Sequence, residues 1–496
     1  MKKTYLLCSI SFLTLTAQAQ WLQKGADIDG EEAQEYSGRS ISMSSDGNTL
    51  AVGAPYNDGT ATNSGHVRIY EWSGAVWTQK GADIDGEAAA DISGWSISMS
   101  SDGNTIAIGA EENDGSATSS GHVRIYEWSG TAWAQKGTDI DGEAAYDFSS
   151  RSISMSADGN TLAIGAPGND ETGLFAGHVR IYEWSGTAWS QKGIDIDGEA
   201  ANDQSGHSVS MSSDGNTLAI GAIYNDGAAT NAGHVRVYEW SGTAWIQKGS
   251  DINGEAMNDQ GGHSVSMSSD GNTLAIGAPY NGGGGTQAGH VRVYEWSGTA
   301  WTQKGADING EAAGDQSGYA VSMSSDGSTV LIGAPYSDET ATDAGHVRVY
   351  KWSGTAWIQK GIDIDGEAID DQSGYSVAIS SDGHGVAIGA IYNDGTGIWA
   401  GHVRVYSFST VGIIKTEFDN GLLLYPNPTE GDLSIDLGSI YETVTLSLTD
   451  INGKLIRSSA YNNRQLLDLR LKEQSGVYLL IVEAEERKAV IRLVKE

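Results

Sequence analysis

Between Trp189 and Trp240 the chain reads Trp189-Ser-Gln-Lys-Gly-Ile-Asp-Ile-Asp-Gly198, then a polar loop, then Ser205-Gly-His-Ser-Val-Ser-Met-Ser-Ser-Asp-Gly-Asn-Thr-Leu-Ala-Ile-Gly-Ala222. A second polar loop leads to His234-Val-Arg-Val-Tyr-Glu-Trp240. The apolar runs are short, alternating and rich in β-branched residues, and Gly, Asp or Asn bounds each one. This pattern predicts four strands joined by turns, with no helical period. The unit recurs. Its leading Trp stands at Trp21, Trp77, Trp133, Trp189, Trp245, Trp301 and Trp357, always 56 residues apart, and the next position in register is Ile413. Seven copies therefore fill residues 21–412. A period of this length marks a repeat architecture. Four short strands per unit, seven times over, predict an all-β, seven-bladed β-propeller.

The array begins on its Trp-containing strand and ends on a His-Val-Arg-Val-Tyr strand, His402 to Tyr406. The first strand then has no blade of its own, and the last blade lacks a fourth strand. Pairing 21–29 with strands near 374–380, 385–390 and 402–407 completes the seventh blade and leaves no open sheet edge.

Composition narrows the functional classes. The 496 residues carry 29 Lys+Arg against 64 Asp+Glu, a formal charge of −35. Such a surface repels nucleic acid and anionic membranes. Gly is 67 of 496, about twice the usual share, which argues against helical bundles. Cys8 is the only cysteine, so no internal disulfide can form. Lys2 and Lys3, the apolar run Tyr5 to Leu15 and Ala17-Gln18-Ala19 read as a cleaved secretory signal over residues 1–19. No run of 18 apolar residues predicts a membrane span.

The stretch 205–222 resembles an FG-GAP repeat, the unit of integrin α-subunit propellers. Gly-Ala-Pro recurs at Gly53-Ala54-Pro55, Gly165-Ala166-Pro167, Gly277-Ala278-Pro279 and Gly333-Ala334-Pro335, while Glu111, Ile223 and Ile391 replace the Pro in the other copies. The resemblance implies the propeller fold. Integrin-type repeats often carry a calcium loop between the first two strands. Here that turn is only Ser-Asp-Gly or Ala-Asp-Gly, so no calcium site is expected there.

After Thr410 the composition changes: residues 413–496 hold 10 basic and 13 acidic residues. Alternating runs at 432–437 and 443–449, a turn at Asp450-Ile-Asn-Gly453-Lys454, and closing runs at 475–482 and 490–495 predict a small β-sandwich. The motif Tyr425-Pro426-Asn427-Pro428, the Gly453-Lys454 turn and the strand containing Gly476 and Tyr478 resemble the type A C-terminal sorting domain of the type IX secretion system. The resemblance implies export through that machinery in a Gram-negative, Bacteroidetes-type cell, and surface attachment or release. The expected domains are thus a signal at 1–19, the propeller at 20–412, a linker at 413–421 and the sorting domain at 422–496.

Seven in-chain copies separate shared geometry from local chemistry. His66, His122, His178, His234, His290, His346 and His402 open equivalent strands, each with Arg two residues on. Their uniformity reads as structural, the Arg pairing with acidic loops between blades. The Asp-Ile-Asp/Asn-Gly-Glu loop, first at Asp27, Asp29 and Glu31, offers the hard oxygen ligands calcium takes. The residue entering the first strand varies: Arg39, Trp95, Arg151, His207, His263, Tyr319 and Tyr375. These seven are expected to ring one mouth of the axial channel. Phe175 and Trp399, in loops expected on the same face, are further candidates to stack on a ligand. No unique carboxylate pair or nucleophile elbow accompanies them, so no catalysis is expected.

The reading that results is a secreted, surface-attached, monomeric and non-catalytic binding or adhesion propeller. Its expected partners are the secretion machinery and an extracellular protein or glycan, with no cofactor except calcium as a candidate. The alternatives are a calcium-bound structural surface protein and a propeller hydrolase or lyase acting on polysaccharide.

Overall fold

A computed structural model describes residues 20–409, 413–416, 422–425, 429, 431–450, 454–474, 476–485 and 487–495. The expected signal at 1–19 lies outside them. All regular structure among the described residues is β.

Seven antiparallel sheets follow the repeat. The first runs Ser40–Met43, Thr49–Ala54, His66–Trp72 and Trp77–Gln79, and five more repeat it. The seventh is assembled from both ends of the array, in the order Ser373–Ile379, Gly385–Ala390, His402–Ser409 and Gln20–Gln23. Ile28 pairs with Val403 and Asp29 with His402. The closure expected from sequence is present. One detail differs. The fourth strand of each blade is in two pieces, such as Trp77–Gln79 and Ile84–Asp85, both paired to the third strand. The break falls at Gly81, whose φ of 88° turns the chain out of the ladder.

Residues shared by all copies lock neighbouring blades together. The indole N–H of Trp77 donates to the Lys24 carbonyl of the preceding blade at 2.7 Å, and Trp133 does the same to Lys80. Arg68 donates to the Asp29 carbonyl at 2.8 Å and pairs with Glu31 at 3.2 Å, again across the blade boundary. On the inner strands a serine present in six of the seven copies, with Ala320 in the other, adds a contact: the Ser40 hydroxyl donates to the Gly94 carbonyl of the next blade at 2.7 Å. Ser376 to Gly38, at 2.6 Å, is the same contact closing the ring. The apolar cores also lie between blades. Ala51, Val67 and Ile69 of the first blade pack with Ile97, Met99, Ile106 and Ile108 of the second.

The C-terminal unit is a six-stranded sheet with its own core. Its longest strand, Asp432–Asp450, is irregular between Asp436 and Tyr441. Leu433 and Ile435 on one side of that point share a single core with Leu446 and Leu448 on the other. The expected linker is corrected: Ile413–Thr416 is a strand that pairs with Arg487–Lys495. Ile-Ile-Lys-Thr has the β-branched content to join that edge. Of the sorting residues, Tyr425 pairs with Ser434, Gly476 with Lys495, and Tyr478 with Leu493 and Asp450. Lys454 closes its turn by donating its backbone N–H to Asp450 Oδ1 at 2.9 Å. Pro426, Asn427, Pro428 and Gly453 lie outside the described residues.

Two outcomes test this account. A Cβ on Gly221 would stand 2.2 Å from the Gly262 carbonyl of the next blade. Gly221→Ala is therefore expected to destabilise the propeller by about 1–3 kcal/mol, read from urea denaturation. His234 is buried, and with the Arg236 cation beside it its pKa falls from 6.5 to about 4. Between those values the unfolded chain binds a proton that the folded chain refuses. Stability is thus lost as pH falls from 6.5 towards 4. Replacing this histidine, His234→Gln, is expected to flatten that loss by about 2–3 kcal/mol. Parallel pH profiles for variant and parent would contradict the assignment.

Candidate functional site

The loop Gly30–Gly38 runs from the broken outer strand to the inner strand of the next blade. A buried acid anchors it: Asn57 Nδ2 donates to Glu35 Oε2 at 2.7 Å, and burial raises the Glu35 pKa. Gly38, at φ 88°, then aims the next side chain at the axis.

All seven variable residues meet there. Arg39, Trp95, Arg151, His207, His263, Tyr319 and Tyr375 line one axial cavity of about 270 Å³. Neighbours among them are in contact around it. The Arg39 guanidinium lies 3.9 Å from the Trp95 ring centre and 4.9 Å from that of Tyr375, while Arg151 lies 4.9 Å from the other side of Trp95. The His207–His263, His263–Tyr319 and Tyr319–Tyr375 ring centres are 5.2, 4.8 and 4.9 Å apart. Burial holds the His263 pKa at about 4, helped by Arg151 and Arg39, although its Nδ1 donates to the Tyr319 carbonyl at 3.2 Å. His207 is pulled well below its usual value by burial and by His263 and Arg151. Arg151 is in turn paired at 3.1 Å with Glu111, which is buried and has a raised pKa. Arg39 and Arg151 are thus the cations of this ring.

The two loop aromatics separate. Trp399, 42% exposed, stacks on Tyr36 at 6.3 Å and 20° and meets Tyr392 edge-on at 5.8 Å. Tyr36 also touches Tyr56 at 5.1 Å and Tyr392 at 5.3 Å. Beside this cluster opens a cavity of about 460 Å³, lined by Tyr36, Arg39, Tyr56, Trp95, Tyr375 and Tyr392, with Gln34, Asp58 and Asn63 among its polar groups. Phe175 instead lines a second cavity of about 280 Å³, with Glu111, Phe148, Arg151, His207 and Tyr224.

Sequence reasoning did not single out Tyr36, Tyr56 or Tyr392. Tyr36 had a signal: its equivalents are Ile92, Phe148 and then Gln204, Gln260, Gln316 and Gln372. Trp399 and Phe175 stand where other copies have Asn63, Ser119, Asn231, Gln287 and Asp343, all at left-handed φ of 47–55°. A bulky aromatic is a costly occupant of that conformation.

The calcium candidates do not converge. Asp27 lies with Glu367 and His402, whereas Glu31 lies with His66 and Asp83 one blade on. The Asp29 carbonyl accepts from Arg68, and burial raises its carboxyl pKa. The acidic loops therefore serve the boundaries on either side of them.

Comparison with known proteins agrees with both parts. The FG-GAP repeat model matches residues 191–238 and 309–350, and the model described as a secretion system C-terminal sorting domain matches residues 423–496. No curated protein matches the chain. The crystal structure of Chaetomium thermophilum Raptor is similar with a TM-score of 0.50 and 11% identity, over 79% of this chain and 29% of that one. A Bacteroides uniformis protein proposed to be a 6-phosphogluconolactonase gives 0.48 and 11% over 66% and 86%. The structure of U3-55K gives 0.45 and 10% over 78% and 100%. These likenesses concern the fold alone. The sorting domain marks the protein for secretion and attachment at the cell surface, and no helix among the described residues is long and apolar enough to cross a membrane. The chain thus folds as a seven-bladed β-propeller with repeats that match the FG-GAP model, and it carries a C-terminal domain that matches the secretion system sorting domain.

Proposed function

We propose that the propeller is a non-catalytic binding module that presents a site for a neutral glycan at the cell surface. The site is the cavity of about 460 Å³ between Tyr36, Tyr56, Trp95, Tyr375 and Tyr392, with Trp399 extending its aromatic wall. The observation that carries the reading is the Tyr36–Tyr56–Tyr392–Trp399 cluster. It combines two departures from the repeat, one of them a tryptophan held at φ 55°. Strain at such a position points to a use that blade geometry does not explain.

Flat aromatic faces with a few fixed polar groups suit a sugar, whose C–H face stacks while its hydroxyls take hydrogen bonds. Arg39, Asp58, Asn63 and Gln34 supply donors and acceptors. A neutral ligand is favoured because the repeats carry most of the −35 charge, which repels polyanions. Glycoside hydrolysis takes two carboxylates. Asp58 is the one carboxylate among the described residues lining this cavity, which favours binding over cleavage.

Two substitutions borrowed from sister blades test the site without disturbing the fold. Tyr36→Gln installs the residue of four other copies, and Trp399→Asn the residue of two. On a glycan array probed with the full secreted chain, each is expected to weaken binding at least tenfold. Trp399→Asn is expected to hold or raise the unfolding free energy, by up to about 1 kcal/mol, read from urea denaturation. Unchanged glycan affinity in both variants would refute the proposal.

A further inference from the structure

In every copy the blade-boundary histidine faces a Glu and an Asp, and the third blade adds something to this set. Glu171 stands where five copies have Gly59, Gly115, Gly227, Gly283 and Gly395. Its backbone keeps their turn: its N–H donates to Asn169 Oδ1 at 3.0 Å, as Gly59 does to Asn57 Oδ1 at 2.8 Å. The change therefore alters the side chain and leaves the loop as it was. It brings a third carboxylate to the boundary. One ligating atom each from Glu143, Glu171, His178 and Asp195 lie within 4.8 Å of one another.

The histidine is the second observation. His178 is 1% exposed, and its Nδ1 has no hydrogen-bond partner among the described residues. That atom faces the carboxylates, 3.8 Å from Asp195 Oδ2. A neutral imidazole offers the lone pair of such a nitrogen to a metal ion. Arg180 pairs with Glu143 Oε1 at 3.3 Å, which leaves the second oxygen of that carboxylate for another cation. The sixth blade has the same residue types around His346, but there the Ser337 hydroxyl lies 3.1 Å from Nδ1 and engages it.

We propose that Glu143, Glu171, His178 and Asp195 form a site for a divalent transition-metal ion in the third blade. One imidazole with carboxylates suits such ions and disfavours calcium, which takes oxygen ligands alone. Bonds of about 2.0–2.1 Å in a tetrahedron place ligand atoms about 3.3 Å apart. The exposed Glu143 and Glu171 side chains have the freedom to close that difference. The ion would tie the second blade's outer loop to the third blade. This site is independent of the glycan cavity.

Zinc chloride titrated calorimetrically into the full secreted chain tests it, with Glu171→Gly and His178→Gln as variants. The parent is expected to bind one equivalent that a large excess of Ca²⁺ does not displace. Both variants are expected to lose that equivalent or to weaken it at least tenfold. Glu171→Gly carries the residue of five sister blades, so its circular dichroism and melting in the absence of metal are expected to match the parent. Absence of zinc binding to the parent, or equal stoichiometry and affinity in Glu171→Gly, would overturn the proposal.

Discussion

One close approach underlies the propeller. In the second strand of each blade a glycine lets the backbone of the next blade's inner strand come to rest against it. A Cβ on Gly53 would stand 2.2 Å from the Gly94 carbonyl, and one on Gly389 would stand 2.3 Å from the Gly38 carbonyl. The last contact is the first one repeated across the closure. Because the carbonyl sits so near, the neighbouring serine hydroxyl can reach it, as Ser40 does Gly94. Further out, where the blades diverge, larger groups span the boundary: Arg68 to the Asp29 carbonyl, then Trp77 to the Lys24 carbonyl. The side chains thus grow from Gly to Trp as the gap widens.

That gradient explains why the fold was legible. The Gly, Arg and Trp recur in all seven copies at the same spacing, and the serine in six, so the period, the blade number and the closing strands could all be read from Trp, Gly-Ala and His-Val-Arg. What was not legible is equally physical. The split outer strand turns on the two-residue pair Ile84–Asp85, too short to show alternation. Ile413–Thr416 begins where the repeat stops and looked like a linker because four residues carry little pattern. Asp27 and Glu31 are close in sequence, yet they face opposite blade boundaries, and only the folded ring reveals it.

The candidate site divides in the same way. Its inner ring was visible because Arg39, Trp95 and their equivalents vary against a constant background. The outer aromatic wall was not. Tyr56 and Tyr392 belong to a position that is Tyr in five copies, so internal comparison assigned it to shared geometry. Trp399 and Tyr36 come from opposite ends of the array and meet only because the ring closes. The closure that completes the seventh blade therefore also builds the aromatic wall.

This gives the departures from the repeat a common meaning. When seven units share one solution for stability, a substitution that fits that solution worse has no reason to persist on structural grounds. Trp399 and Phe175 occupy a left-handed position better suited to Asn or Asp, and Glu111 buries a carboxylate where sister blades have Pro or Ile. Glu111 then needs Arg151 beside it, and Arg151 packs on Trp95, which also stacks on Arg39. Glu111, Arg151, Trp95 and Arg39 are thus coupled to one another around a single channel mouth. A chain of mutually supporting, individually unfavourable residues is what the proposed binding site would impose on a scaffold that is otherwise free to be uniform.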